Sequence, residues 1–158
     1  MKASKQLSLN ELLSQVSKWK SQGEKIVFTN GCFDVFHAGH AFILNTAKTF
    51  GTKLIVGLNS DVSVAALKGS SRPINKSQDR IYVLSSLTAV DAVSVFDDAT
   101  PLELIKAIQP NVLVKGGDYN IENIVGAKEV LANGGKVEIV PLLDGLSSSK
   151  MIEGLKLE

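Results

Sequence analysis

Several things are scarce in this chain, and each scarcity narrows its chemistry. Cys32 is the only cysteine among 158 residues, which excludes an internal disulfide and argues against a cysteine-based zinc cage. Excess charge is missing as well: 17 Lys and Arg stand against 16 Asp and Glu, a net charge of +1. There is no global electrostatic signature of a nucleic-acid or membrane-surface partner, so neither is expected, and any anion site must be built locally. No apolar run is long enough to span a bilayer, and Met1–Gln6 has no apolar signal core behind it. A soluble cytoplasmic protein is the expectation. No Ser–His–Asp or Cys–His arrangement is evident, and no carboxylate pair is poised for acid–base work. Internal repeats, low-complexity tracts and interdomain linkers are absent too, so residues 1–158 are expected to form one domain, with a polar, frayed tail at 1–8.

What is present alternates. Leu9, Leu12, Leu13, Val16 and Trp19 keep helical spacing after a cap at Ser8 or Asn10, and Gly23 ends that helix, whose expected role is to cover a sheet edge. Apolar strands follow at 25–28, 54–58, 92–96, 112–115 and 137–140. Between them lie helices through 41–48, 64–67, 79–87, a segment ending before Pro110, and 127–131. Ser77 is expected to cap the third of these, and Thr100-Pro101-Leu102-Glu103 reads as a capping box with Pro at the first helical position. Residues 145–150 open a last short helix. Continuous apolar strands alternating with helices predict an α/β fold: a Rossmann-like, doubly wound sheet of five parallel strands with helices on both faces. In such sheets ligands bind beyond the carboxyl ends of the strands. The segments richest in functional groups, 29–40, 59–61, 68–72, 115–119 and 144–150, each follow a strand or the helix just after one, which predicts one composite site.

The densest of them is Thr29-Asn30-Gly31-Cys32-Phe33-Asp34-Val35-Phe36-His37-Ala38-Gly39-His40. Here a strand ends at a glycine turn and a helix begins near His37. Helix starts carry unpaired N–H groups and partial positive charge, so the junction suits a phosphate. His37 and His40 are three apart and share one face of the first turn. Gly31 and Gly39 lack Cβ, so a flat ligand can approach closely.

These residues resemble the G-x-F-D-x-x-H-x-G-H signature of the cytidylyltransferase-like nucleotidyltransferases. Thr29–Asp34 is most similar to the heptose 1-phosphate adenylyltransferase branch, and the resemblance runs from about Leu9 to about Ile152. With no kinase ahead of it, the chain resembles that branch's stand-alone form. The resemblance implies transfer of AMP from ATP to a heptose 1-phosphate, giving ADP-heptose and pyrophosphate for lipopolysaccharide core or related glycan synthesis. It also implies Mg²⁺ bound mainly through the substrate phosphates, and a homodimer.

Such a transfer requires positioning and charge stabilisation rather than a general base, because a sugar phosphate is already mostly dianionic near neutral pH, with a second pKa of about 6. By resemblance, His37 and His40 contact the nucleotide phosphates in the transition state, and Gly39 lies against the nucleotide. Amides around Cys32 and Phe33 hold phosphate oxygens, and Lys68 meets the acceptor phosphate or the α-phosphate. Arg80 points into the cleft. Gly117, Asp118 and Tyr119 lie near the ribose and base, and Ser147, Ser148 and Ser149 open a helix onto the β- and γ-phosphates. On the acceptor side, Asp34 orders the junction or faces the acceptor, Asn59 and Asp61 cap the short helix or bind the acceptor, and Arg72 adds a donor. No protein metal ligand is implied.

Two other readings remain open. One is a cytidylyltransferase acting on an alcohol phosphate such as glycerol 3-phosphate. That branch has Arg where Leu142 stands here, which argues against it. The pantetheine-phosphate adenylyltransferases have Thr in place of His37 and a closing Arg in their last motif, where this chain has Lys150. The other reading is a nucleotide-binding module without turnover, against which the intact His37, His40 and Lys68 speak.

Overall fold

The computed structural model describes residues 3–143 and 147–155, apart from the side chains of Lys150 and Leu155. Five strands form one sheet: β1 (Ile26–Gly31), β2 (Lys53–Asn59), β3 (Ala92–Phe96), β4 (Val112–Gly116) and β5 (Lys136–Val140). All pairings are parallel, in the order β3-β2-β1-β4-β5. The helices are α1 (Leu9–Ser21), α2 (Ala38–Thr49), α3 (Asp61–Lys68), α4 (Ser77–Ser86), α5 (Leu102–Ile108), α6 (Ala127–Ala132) and α7 (Ser148–Leu155). None of the described helices is long and apolar enough to cross a membrane.

Alternate side chains of each strand point to opposite faces, so the sheet carries two cores. Val27, Leu54, Val56, Val93 and Val114 pack with Leu44 and Ala47 of α2 and Ile81 and Leu84 of α4. On the other face Ile26, Phe28, Ile55 and Leu113 meet Leu12 and Val16 of α1, Ile105 and Ile108 of α5, and Val130 of α6. The predicted doubly wound α/β sheet is what forms.

Local details depart from expectation in four places. Helix α1 packs on a face of the sheet rather than on its edge. The edge is taken by the segment expected to fray: Leu7 N–H donates to Val93 O at 3.0 Å and Val93 N–H to Lys5 O at 2.9 Å, prolonging the sheet beside β3. An exposed edge strand has unpaired backbone groups, and these few residues satisfy them. Ser77 is the first residue of α4, with Lys76 at the cap and no side-chain cap bond. Pro101 occupies the cap of α5, so Thr100 closes no capping box. Ser8 does cap α1, in a reciprocal pair with Glu11.

Strand β1 is the switch point, since β2 and β3 lie on one side of it and β4 and β5 on the other. The β1–β4 ladder pairs Val27 with Val112 and Phe28 with Leu113 and stops there. On the flanks pairing runs further, to Gly31↔Leu58 and to Gly116↔Val140. The carboxyl ends of β1 and β4 therefore part, and a crevice opens between them.

Candidate active site

The chain leaves β1 through Gly31 and turns at Phe33, whose φ of +47° is strained for a bulky side chain. Gly31 makes the turn possible: a Cβ there would stand 3.0 Å from Phe33 Cε2. Beneath the turn, Asp34 is buried and accepts from Arg72 Nε at 2.6 Å, Asn75 N at 2.8 Å and Ile74 N at 2.9 Å. Burial by itself would raise its pKa. The two amides and the guanidinium outweigh that and hold the carboxyl below its ordinary value.

His37 caps α2, its Nδ1 accepting from Gly39 N at 3.1 Å. With Nδ1 an acceptor, the neutral ring carries its proton on Nε2. The His40 ring stacks on that of His37, 3.9 Å between centroids, and is flanked by Phe33 and Phe36 at 5.2 and 5.5 Å. Desolvation, then the charges of His37 and Lys68, lower the His40 pKa to about 4. Burial lowers that of His37 as well. Near neutral pH both are uncharged hydrogen-bonding groups. The buried Nδ1 of His40 has no partner among the described residues.

A cavity of about 290 Å³ lies over this junction. His37, Gly39, His40, Cys32 and Phe33 line one side, and Ser147, Ser148 and Ser149 at the start of α7 face them. Ser148 Oγ donates to Val35 O at 3.0 Å and ties that helix start to the loop before α2. A second cavity of about 490 Å³ adjoins it, lined by Asn59, Thr100 and Asn123 among others. Lys68, Lys115, Cys32 and Tyr119 border both. Among the described lining residues of either cavity there is no Asp or Glu, whereas Lys68 and Lys115 are cations in both walls. The site is built for anions. No group of three or more His, Cys, Asp or Glu that could hold a metal ion exists among the described residues.

The structure thus brings together His37, His40, Lys68, Cys32, Phe33, Gly39, Tyr119, the three serines and Asn59. It does not bring in all of the expected residues. Arg80, expected in the cleft, is fully buried: Nη1 donates to Cys32 O at 2.6 Å and Asn59 O at 2.8 Å, and Nη2 to Asp61 Oδ1 at 2.7 Å. It clamps the loops after β1 and β2 together. Asp61 is thereby paired, Ser60 being the cap of α3. Arg72 and Asp34 spend their charges on each other instead of on an acceptor. Asp118 is exposed and borders neither cavity. Gly117 acts from behind: at φ +131°, a Cβ would lie 2.8 Å from Tyr119 Cε2, so only glycine lets that ring fold back. Asn59 has a double role, its Nδ2 donating to Ser63 Oγ at 2.9 Å. Residues 144–146 and the Lys150 side chain lie outside the described residues.

Asn30, Ile43, Lys115 and Leu143 line the first cavity without having been given roles from sequence. For Lys115 a signal existed, a charge closing the apolar strand Val112-Leu113-Val114.

A doubly wound sheet with a paired-histidine helix start at its switch point defines a nucleotidyltransferase-type domain. The chain belongs to the cytidylyltransferase-like family, whose model matches residues 28–154. It is 53% identical over 149 residues to the bifunctional protein HldE of Koribacter versatilis, covering 94% of this chain and 31% of that protein. The HldE of Methylobacillus flagellatus is 50% identical over 153 residues, covering 97% and 31%. The chain therefore spans about a third of the length of these relatives. Among solved structures, the lipopolysaccharide core biosynthesis protein of Thermoplasma volcanium aligns with a TM-score of 0.59 at 23% identity, over 77% of this chain and 98% of that one. Pantoate-beta-alanine ligase of Francisella tularensis gives 0.62 at 16% identity, over 95% and 76%. At those identities the two structures speak for the fold.

Proposed function

We propose that the chain transfers AMP from ATP to a heptose 1-phosphate and releases pyrophosphate. One observation carries the reading: two neutral histidines at a helix start and two lysines converge on a crevice whose described walls hold no carboxylate. An acceptor phosphate oxygen attacks the α-phosphorus, the bond from that phosphorus to the bridging oxygen breaks, and pyrophosphate leaves with the electron pair. The attacking oxygen carries no proton to remove, so the protein needs donors and a fixed geometry. Nε2–H of His37 and the ring of His40 face the charge growing on the transferred group, and the start of α7 takes the terminal phosphates. Mg²⁺, held mainly by the substrate phosphates, would neutralise charge on the β- and γ-phosphates.

Adenine and heptose are favoured by the likeness of Thr29–Asp34 and Val114–Tyr119 to the heptose 1-phosphate adenylyltransferases. Leu142 supports adenine further. It lines the first cavity, so the Arg of the cytidylyltransferase branch would face the nucleotide, and Leu offers an apolar wall instead. A base whose polar edge is left unpaired loses about 1–3 kcal/mol, so ATP should be preferred over CTP by roughly ten- to a hundredfold. Pyrophosphate release from ATP and CTP with heptose 1-phosphate and glycerol 3-phosphate tests the pairing. CTP matching ATP would remove the branch assignment, and no release with any pair would remove the reaction.

A further inference from the structure

Phe36 stands where the sequence gives it no task. In Gly31-Cys32-Phe33-Asp34-Val35-Phe36-His37 it fills one of the two places that the nucleotidyltransferase signature leaves open between Asp34 and His37. It precedes His37, the cap of α2, where an apolar residue ordinarily packs on the fourth residue of the helix. That residue is Ala41, which offers only a methyl group. The ring is used elsewhere. Half-buried against the core of one sheet face, it stands 5.5 Å from the His40 ring, with their planes 38° apart.

Three rings surround one imidazole: His37 stacks on His40 at 3.9 Å, Phe33 lies at 5.2 Å and Phe36 completes the set. The Nδ1 of His40 is buried and has no partner among the described residues. A ring present only for packing would not carry a stranded polar atom, since an apolar side chain fills the same space without that cost. The loop bearing Phe36 is itself pinned. Asn75 Nδ2 donates to Asp34 O at 2.6 Å, and Ser148 Oγ to Val35 O at 3.0 Å. Of the groups facing His40, His37 and Lys68 both disfavour a charge on it. The other titratable groups among the described residues of that cavity are Cys32, Lys115 and Tyr119, and none is a carboxylate. With no acidic side chain at hand, water is what favours the protonated ring, and an apolar wall is what keeps water out.

We infer that Phe36 is a positioning residue of the transfer reaction: its ring seats the His40 imidazole on His37 and seals water from its inner nitrogen, so that the imidazole meets the nucleotide through its other nitrogen. This rests on the nucleotidyl-transfer reading above and adds to it a side chain that touches no substrate. Phe36 lines neither cavity, so it acts through His40. The gain is preorganisation. A hydrogen-bonding group held by packing before the substrate arrives costs no reorganisation as charge grows on the transferred group.

The test uses the whole chain carrying Phe36→Ala, with Phe36→Val as a milder variant that keeps part of the core filled. NMR titration of the His40 ¹³Cε1 resonance without nucleotide reads the pKa, about 4 in the unaltered protein. It should rise by about one unit in Phe36→Ala and by less in Phe36→Val. The pKa of His37 should move less than that of His40 in both variants. Steady-state kinetics with ATP and heptose 1-phosphate should show kcat lowered roughly tenfold in Phe36→Ala, while ATP affinity by calorimetry stays within about threefold. A Phe36 that served the core alone would lower the melting temperature and leave the His40 pKa and kcat unmoved. An unmoved His40 pKa in the folded variants, or equal loss of kcat and ATP affinity, overturns the assignment. Absence of turnover by the unaltered protein with any nucleotide and sugar phosphate would remove the transfer reading instead. The titration needs no substrate, so it still decides whether Phe36 seals the ring.

Discussion

The imidazoles of His37 and His40 stack with their centroids 3.9 Å apart and their planes 24° from parallel. Two protonated rings at that distance would repel strongly, and the site avoids it by keeping both uncharged: burial lowers the pKa of each, and that of His40 falls to about 4. The stack also packs the His40 ring on the wall of the first cavity, so its hydrogen-bonding group needs little further ordering to meet a ligand there.

Stability should depend on pH through His40. A folded-state pKa near 4 lies below the roughly 6.5 of an unfolded imidazole. Between those values the unfolded chain binds a proton that the folded chain refuses, so unfolding free energy rises with pH across the window. The contribution is complete above about pH 6.5 and is lost as pH falls through about 4, amounting to on the order of 1–2 kcal/mol after solvent screening. Urea unfolding of the protein and of His40→Gln at about pH 7 and about pH 5 checks this. The variant should lose less stability than the parent on acidification.

His40→Ala should lower kcat by about 10²–10³ while nucleotide affinity changes little, because the ring acts on charge that grows in the transition state. Steady-state kinetics beside calorimetric titration of ATP separates the two. Equal loss in kcat and affinity would make His40 a ground-state binding group.

Asp34→Ala should destabilise the fold by about 3–5 kcal/mol, since it strands the Arg72 guanidinium and two amides that now donate to one buried carboxylate. Chemical denaturation is the measurement. A variant of near-normal stability that had lost only acceptor affinity would return Asp34 to the binding site.

Lys68→Ala should raise the KM for the acceptor or slow the chemical step, with ATP affinity less affected, because the side chain borders the second cavity and makes no ion pair among the described residues. Loss of ATP binding in a calorimetric titration would place Lys68 on the triphosphate.

Much of the site is local in the chain and was legible there. His37, Gly39 and His40 occupy one helical turn, and a three-residue spacing puts both rings on one face whatever the rest of the molecule does. Ser147 to Ser149 open their helix for the same reason. The sheet was legible because apolar strands alternating with helices have few other ways to bury both faces.

Charges were another matter. Arg72 and Arg80 read in sequence as donors for the cleft, and Asp34 and Asp61 as either local structural groups or acceptor contacts; folding joined them in pairs 38 and 19 residues apart. Lys115 and Asn30, 85 residues apart, became neighbours in the same way. Residues 3–8 looked like a tail until Val93 offered them a free backbone edge. Sequence by itself determined the strand–helix alternation and the histidine-bearing turn at the start of α2, because those follow from neighbours along the chain. Which cations would be neutralised and which left facing the crevice was decided only in the tertiary structure. A charge's partner depends on distance through space, and burial makes pairing obligatory for those turned inward and leaves the others to the substrate.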